Sequence, residues 1–290
     1  MIKKSNFNLH KKIIIGTAQF SKNYGIVKKK NQNPYKFINL VKKYKLKAFD
    51  TSVNYKGSIN LIETNTKDSN LIIKLSTRNY NGIIPILKFK KQVNLISKKI
   101  KKNKIYSFMI HDFSLSYCKK INNHINFLIE FCKENKIRFG FSIYKLSEFN
   151  YIKKYDFNIL QVPINVFNRE FLNYKFIRFV KSKKIEIHAR SIFLQGMLLS
   201  DVSRVPKKFK YLKKPLTYFE SWIKMREISK LYACLKYILS FSIIDKIVLG
   251  TNNYLQFKQT IETIEKINGK LNIPKQLKNI SHNQLNPKNW

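Results

Sequence analysis

"KIRFGFSIYKLSEFNYIKKYDFNILQVP", residues 136–163, reads as strand, helix, strand. "KIRFGFS" and "FNILQVP" are short runs rich in aromatic and β-branched residues, the signature of buried strands. "LSEFNYIKKY" between them carries the apolar spacing of a helix. Two strands joined through one helix pair in parallel, with the helix as the crossover.

The same alternation extends in both directions. Toward the N-terminus lie strand "KIIIG" (12–16), helix "NPYKFINLVKKYK" (33–45) with proline in its first turn, and strands "LKAFD" (46–50) and "SNLIIKL" (69–75). Helix "ILKFKKQVNLISKKIKK" (86–102), strand "KIYSFMIH" (104–111) and helix "INNHINFLIEFCKEN" (121–135) follow. Toward the C-terminus come helix "REFLNYKFIRFVKSK" (169–183), strand "KIEIHAR" (184–190), an irregular stretch to about 215 and one or two helices to about 241. Strand "IDKIVLG" (244–250) and helix "YLQFKQTIETIEKI" (254–267) close the series. Eight βα units in 290 residues predict an α/β fold, a single-domain (β/α)8 TIM barrel over residues 1–290, in preference to an open doubly wound sheet. No linker, low-complexity block or shift in composition divides the chain. Of eight glycines, Gly16, Gly57, Gly140 and Gly250 are expected where strands end or loops begin.

The net charge of +41, from 57 Lys+Arg against 16 Asp+Glu, raises the question of a polyanion partner. Only seven of the basic residues are arginine, and the lysines are spread along almost every amphipathic segment. A nucleic-acid site needs a clustered face, with arginine the preferred reader of bases. The expectation is no specific nucleic acid partner, only salt-dependent adhesion. No apolar run approaches 18 residues, so no membrane insertion is expected, and the basic N-terminus has too short an apolar run for a signal peptide. Cys118, Cys132 and Cys234 are odd in number, with neither CxxC nor metal spacing, which fits reduced thiols in a cytoplasmic protein and predicts no metal. Neither GxGxxG nor GxxxxGK[ST] occurs.

Active sites of such barrels lie at the C-terminal strand ends. Asp50 ends the second strand, with Tyr55 in the loop beyond it; Lys74 ends the third strand and His111 the fourth. A lysine inside an apolar run is costly unless paired. A carboxylate, a phenol, an ammonium and an imidazole on three adjacent strand ends suit proton transfer in one pocket.

The chain resembles the aldo/keto reductase family through nine stretches in order: "IIIGTAQF", "FDTSVNY", "IIKL", "FMIHD", "RFGFSIY", "LQVPINVFN", "HARSIFLQGML", "IDKIVLGTNN" and "LNPKNW". "GTAQFSKNYGI", "RSIFLQGMLL" and the closing "NP..W" look like the bacterial branch often encoded with surface-polysaccharide or glycan genes. The resemblance implies reduction of an aldehyde or ketone, a sugar or nucleotide-sugar intermediate among the candidates, by hydride from NADPH, with NADH as the alternative. It makes Tyr55 the general acid, Lys74 the cation that lowers its pKa, Asp50 the partner that holds Lys74, and His111 the donor that orients the carbonyl. Ser142 and Gln161 match residues that hold the nicotinamide carboxamide. Gly16 and Thr17 match the loop after the first strand; Arg190, Ser191 and Gly196 the phosphate-side loop after the seventh; Gly250, Thr251 and Asn252 the loop after the eighth. The partner implied is a small-molecule carbonyl substrate; the sequence leaves the oligomeric state open.

Three departures stand out. The family's Y-G-x-S-E run after the tetrad Asp is here Tyr55-Lys56-Gly57-Ser58-Ile59. Ile143 follows "GFS" where many members have Asn. Gln256, with Lys258 two residues on, stands near the place of the arginine that clamps the 2′-phosphate of NADP. The alternative reading is a catalytically weakened barrel that acts as a cofactor-binding or regulatory protein.

Overall fold

Eight parallel strands form the centre of the chain in a computed structural model that describes residues 9–18, 34–55, 57–66, 68–100, 104–111, 113–250, 253–278, 280 and 285. They are β1 (Ile13–Gly16), β2 (Ala48–Ser52), β3 (Asn70–Leu75), β4 (Ile105–Ile110), β5 (Arg138–Ser142), β6 (Ile159–Pro163), β7 (Glu186–Arg190) and β8 (Lys246–Leu249). Each pairs with its neighbour in sequence, and β1 pairs with β8, so the sheet closes into a barrel. The expected (β/α)8 architecture is the one observed.

Strand side chains alternate between two faces, and the barrel turns this into two cores. Ile14, Ile72, Met109 and Ile159 form a separate buried cluster inside the barrel. Ile13, Ile15, Phe49, Leu71 and Ile73, one residue out of phase, join the large outer core under the helices. Each fully buried side chain of this kind contributes about 1.5–3 kcal/mol relative to exposure.

The helices are α1 (Pro34–Lys43), α2 (Ser58–Asn65), α3 (Ile86–Lys99), α4 (Asn122–Glu134), α5 (Leu146–Ile152), α6 (Tyr174–Ser182), α7 (Lys213–Lys224), α8 (Lys230–Leu239) and α9 (Tyr254–Glu265). α6 shows why lysine-rich sequence suits them. Phe176 and Val180 are buried while Lys175 and Arg178 face solvent. Its first turn is capped by Asn173, whose side chain accepts from the Phe176 amide at 3.0 Å. Asn253 caps α9 in the same way, accepting from the Gln256 amide at 2.8 Å.

Three features differ from the expectation. α2 follows β2 where no helical period is evident. A two-stranded hairpin, Arg78–Asn79 with Gly82–Ile83, follows β3; its Asn81-Gly82 pair is a hairpin signal, and Gly82 takes φ +107°. Gly140 sits in mid-strand and not at a strand end. A Cβ there would lie 2.5 Å from the Ile159 carbonyl oxygen, so β5 and β6 can close only around glycine. The irregular stretch after β7 consists of short 3₁₀ turns, Leu194–Leu199, Val202–Arg204 and Lys207–Leu212, before α7.

A polar cluster lies at the N-terminal end of the barrel. Glu186 accepts from Tyr106 Oη at 2.6 Å and from Arg138, and lies 2.7 Å from His188 Nε2. Burial would raise its pKa, but His188, Tyr106 and Lys246 together bring it down to about 2.

Candidate active site

The opposite, C-terminal end of the barrel brings Asp50, Tyr55, Lys74 and His111 to one cavity of about 670 Å³. The register explains the meeting. Ser52 pairs with Lys74 across β2 and β3, and Asp50 with Ile72 one pleat below, so both ionisable side chains share the inner face.

Lys74 Nζ donates to Asp50 Oδ1 at 2.6 Å, and both side chains are almost fully buried. Gln161, reaching from β6, donates to Asp50 Oδ2 at 2.8 Å. Ser142 Oγ on β5 donates to Gln161 Oε1 at 3.3 Å. Both oxygens of the buried carboxylate are therefore satisfied, the condition under which such a charge is tolerated. Thr17 turns away from the cavity: its amide and its hydroxyl each donate to the Asp50 carbonyl at 3.0 Å. Burial of the Lys74 ammonium would lower its pKa; the Asp50 charge, aided by Tyr55, outweighs burial and raises it well above the ordinary lysine value. Lys74 is thus a fixed cation.

That cation lies 5.6 Å from the centre of the Tyr55 ring. The His111 ring meets the same tyrosine edge to face, with centroids 6.0 Å apart. Ser52 Oγ is 3.2 Å from His111 Nδ1 and sets the orientation of the imidazole. Tyr55 is held by its backbone. Its amide donates to the Ser52 carbonyl at 2.9 Å, and its carbonyl accepts from the Ser58 amide at 3.1 Å and from Ser58 Oγ at 2.7 Å. Ser58 is buried and also bonds Thr51 Oγ1 at 2.9 Å. Gly57 takes φ +75°, which glycine adopts without strain, and lets the chain turn into α2. Of the altered run after Tyr55, Gly57 and Ser58 thus fix the tyrosine's backbone.

Of the remaining residues singled out from sequence, Gly16, Ser142, Gln161, Arg190, Ser191, Gly196 and Gly250 line the cavity. Thr251 and Asn252 lie outside the described residues, as does Lys56. Ile143 is fully buried; its amide donates to the Gln161 carbonyl at 3.0 Å and its carbonyl accepts from Arg190 Nη2 at 2.8 Å. Ser191, Leu194, Gln195 and Gly196 all have positive φ, a concentration of strained backbone of the kind found at binding sites. Beyond them the cavity reaches Ser229 and Lys230 at the start of α8, and Gln256, Gln259 and Thr260 on α9. Lys258 pairs with Glu262 at 3.6 Å. Sequence reasoning missed Ser52 and Tyr144. Both were marked by period two: Ser52 follows Asp50, and Tyr144 follows Ser142, by two positions.

A nicotinamide dinucleotide fits these residues. The cavity joins a neutral hydrogen-bonding pair, Ser142 and Gln161, to a far wall at the capped start of α9, whose helix end favours phosphate. Among the described residues no group of three or more His, Cys, Asp or Glu side chains could hold a metal, and no helix is long and apolar enough to cross a membrane. All three cysteines are buried free thiols.

The model of the aldo/keto reductase family matches residues 12–270. No curated protein sequence matches the chain significantly. Among solved structures, an aldo-keto reductase from Bacillus halodurans in its holo form superposes with a TM-score of 0.68 at 15% identity, over 90% of this chain and 88% of that one. The glycerol dehydrogenase from Gluconobacter oxydans gives a TM-score of 0.64 at 13% identity, over 92% and 88% of the two chains.

Proposed function

The chain belongs to the aldo/keto reductase family, and from that premise we propose that it reduces an aldehyde or ketone to an alcohol with NADPH, NADH being the alternative donor. The observation that carries this reading is the buried Lys74–Asp50 pair beside Tyr55 and His111 at three adjacent strand ends. When bound, the cofactor supplies hydride to the carbonyl carbon. Ser142 and Gln161 would hold its nicotinamide end, Gly16, Ser191, Gly196 and Gly250 would line its path, and Gln256 and Gln259 its far end.

The chain's own residues handle the proton. Tyr55 donates its phenolic proton to the substrate oxygen as negative charge develops there. A tyrosine with an ordinary pKa near 10 donates poorly at neutral pH; the fixed Lys74 ammonium stabilises the phenolate that remains. Asp50 keeps Lys74 charged and in place. His111, oriented by Ser52, donates to the same oxygen and aligns the carbonyl. A sugar or nucleotide-sugar intermediate is the substrate the family resemblance suggests.

The test is to titrate NADPH and NADH by fluorescence and then assay a panel of aldehydes and keto-sugars. Binding with turnover of at least one carbonyl is expected. Absence of binding by either dinucleotide would refute the proposal, and binding without turnover would favour a regulatory barrel.

A further inference from the structure

Four cations line the active-site cavity among the described residues, and three of them face a carboxylate. Lys74 faces Asp50, Arg204 faces Asp201 at 3.5 Å, and Lys230 faces Glu220. Arg190 faces none. Its guanidinium donates to the Ile143 carbonyl at 2.8 Å and to Ser191 Oγ at 3.3 Å, and it stacks 3.9 Å from the centre of the Tyr144 ring. Those contacts fix the plane of the group and use two of its five N–H donors, so that among the described residues no carboxylate compensates its charge. Arg190 is also near enough to Lys74 to oppose its protonation.

Asp50 gives this second cation no partner, since both of its carboxylate oxygens are already taken by Lys74 and Gln161. Resting on the reductase reading above, we propose that Arg190 is the substrate-anion anchor, and that the substrate is a carbonyl compound bearing a carboxylate or phosphate group. A held guanidinium fork binds either anion with two parallel hydrogen bonds. Arg190, which the sequence resemblance groups with the cofactor's phosphate-side loop, makes its contacts with Ile143 and Tyr144 just past the end of β5 and lines the same cavity as the tetrad.

The experiment compares matched substrates that differ only in the anion: succinic semialdehyde against butanal, and glyceraldehyde 3-phosphate against glyceraldehyde. Assays run at about 0.3 M salt, where the long-range field of the +41 chain is screened and only contact interactions remain. Charge-assisted hydrogen bonds of about 1.5–3 kcal/mol correspond to a preference in kcat/KM of about 10–100-fold for the anionic member of at least one pair; which pair shows it identifies the anion as carboxylate or phosphate. Arg190→Met should bring the ratio close to one, and Arg190→Lys should restore part of it. A wild-type ratio near one in both pairs overturns the anchor while leaving the reductase reading intact, because the neutral aldehydes still turn over. A ratio unchanged in Arg190→Met, or an equal fall for both members together with weakened NADPH binding, also overturns it and assigns Arg190 to other work. No turnover of either anionic aldehyde also overturns the anchor, while the reductase reading is decided separately by dinucleotide binding and the wider panel of carbonyls.

Discussion

Lys74 carries the most consequence of any one residue. Replacing it by methionine keeps the volume but leaves the Asp50 carboxylate buried with Gln161 as its remaining side-chain donor. We expect Lys74→Met to lose about 3–5 kcal/mol by denaturant unfolding, and Asp50→Asn combined with it to recover part of that loss, because no orphan charge is then left. Glu186, at the other end of the barrel, makes the pH prediction. Its folded pKa of about 2 lies below the ordinary glutamate value of 4.5. It therefore contributes stability above the unfolded value and loses it as pH falls toward 2. The shift corresponds to at most about 3 kcal/mol, so the fall in stability between pH 5 and 2 should be shallower in Glu186→Gln than in the wild type. An identical acid limb in the two proteins would rule out this role. At this scale the meeting of Asp50, Lys74 and His111 in one cavity was legible from their places at or near strand ends, and that of Tyr55 from its place in the loop that follows β2. Ser52 and Ser58 were not, because a serine two residues past a strand acid, or three past a tyrosine, is common and acquires meaning only through the side chain it meets.

Among elements, β5 and β6 depend on one atom that is absent. Gly140→Ala forces a methyl against the Ile159 carbonyl, so either the ladder separates or the strand shifts. We expect a loss of about 1–3 kcal/mol, read from chemical denaturation; a stability within about 0.5 kcal/mol of wild type would contradict the close packing. The strands were readable in sequence because each is a short apolar run between polar segments. The long helices were readable because lysine faces alternate with phenylalanine and isoleucine. α2 was not, as eight residues give barely two turns for a period to show. The same limit applies to the Arg78–Ile83 hairpin, whose strands are two residues each.

The molecule as a whole carries +41, and α6 illustrates where that charge goes: onto the solvent face of a helix. Mutual repulsion of so many like charges works against the compact state. Raising ionic strength from about 0.01 M to about 0.15 M shortens the Debye length from about 30 Å to about 8 Å. The Tm should then rise by at least about 2 °C, equivalent to about 1 kcal/mol for a chain of this size; a constant or falling Tm would show that self-repulsion is negligible. Charge spread over outer faces leaves the barrel mouth to its own local electrostatics, the fixed Lys74 cation beside Tyr55. The most direct test of that arrangement is the rate of carbonyl reduction by Tyr55→Phe under saturating NADPH, with cofactor affinity measured alongside. We predict a fall in kcat of about 10²–10⁴-fold with cofactor affinity retained; turnover equal to wild type would show that the proton comes from elsewhere.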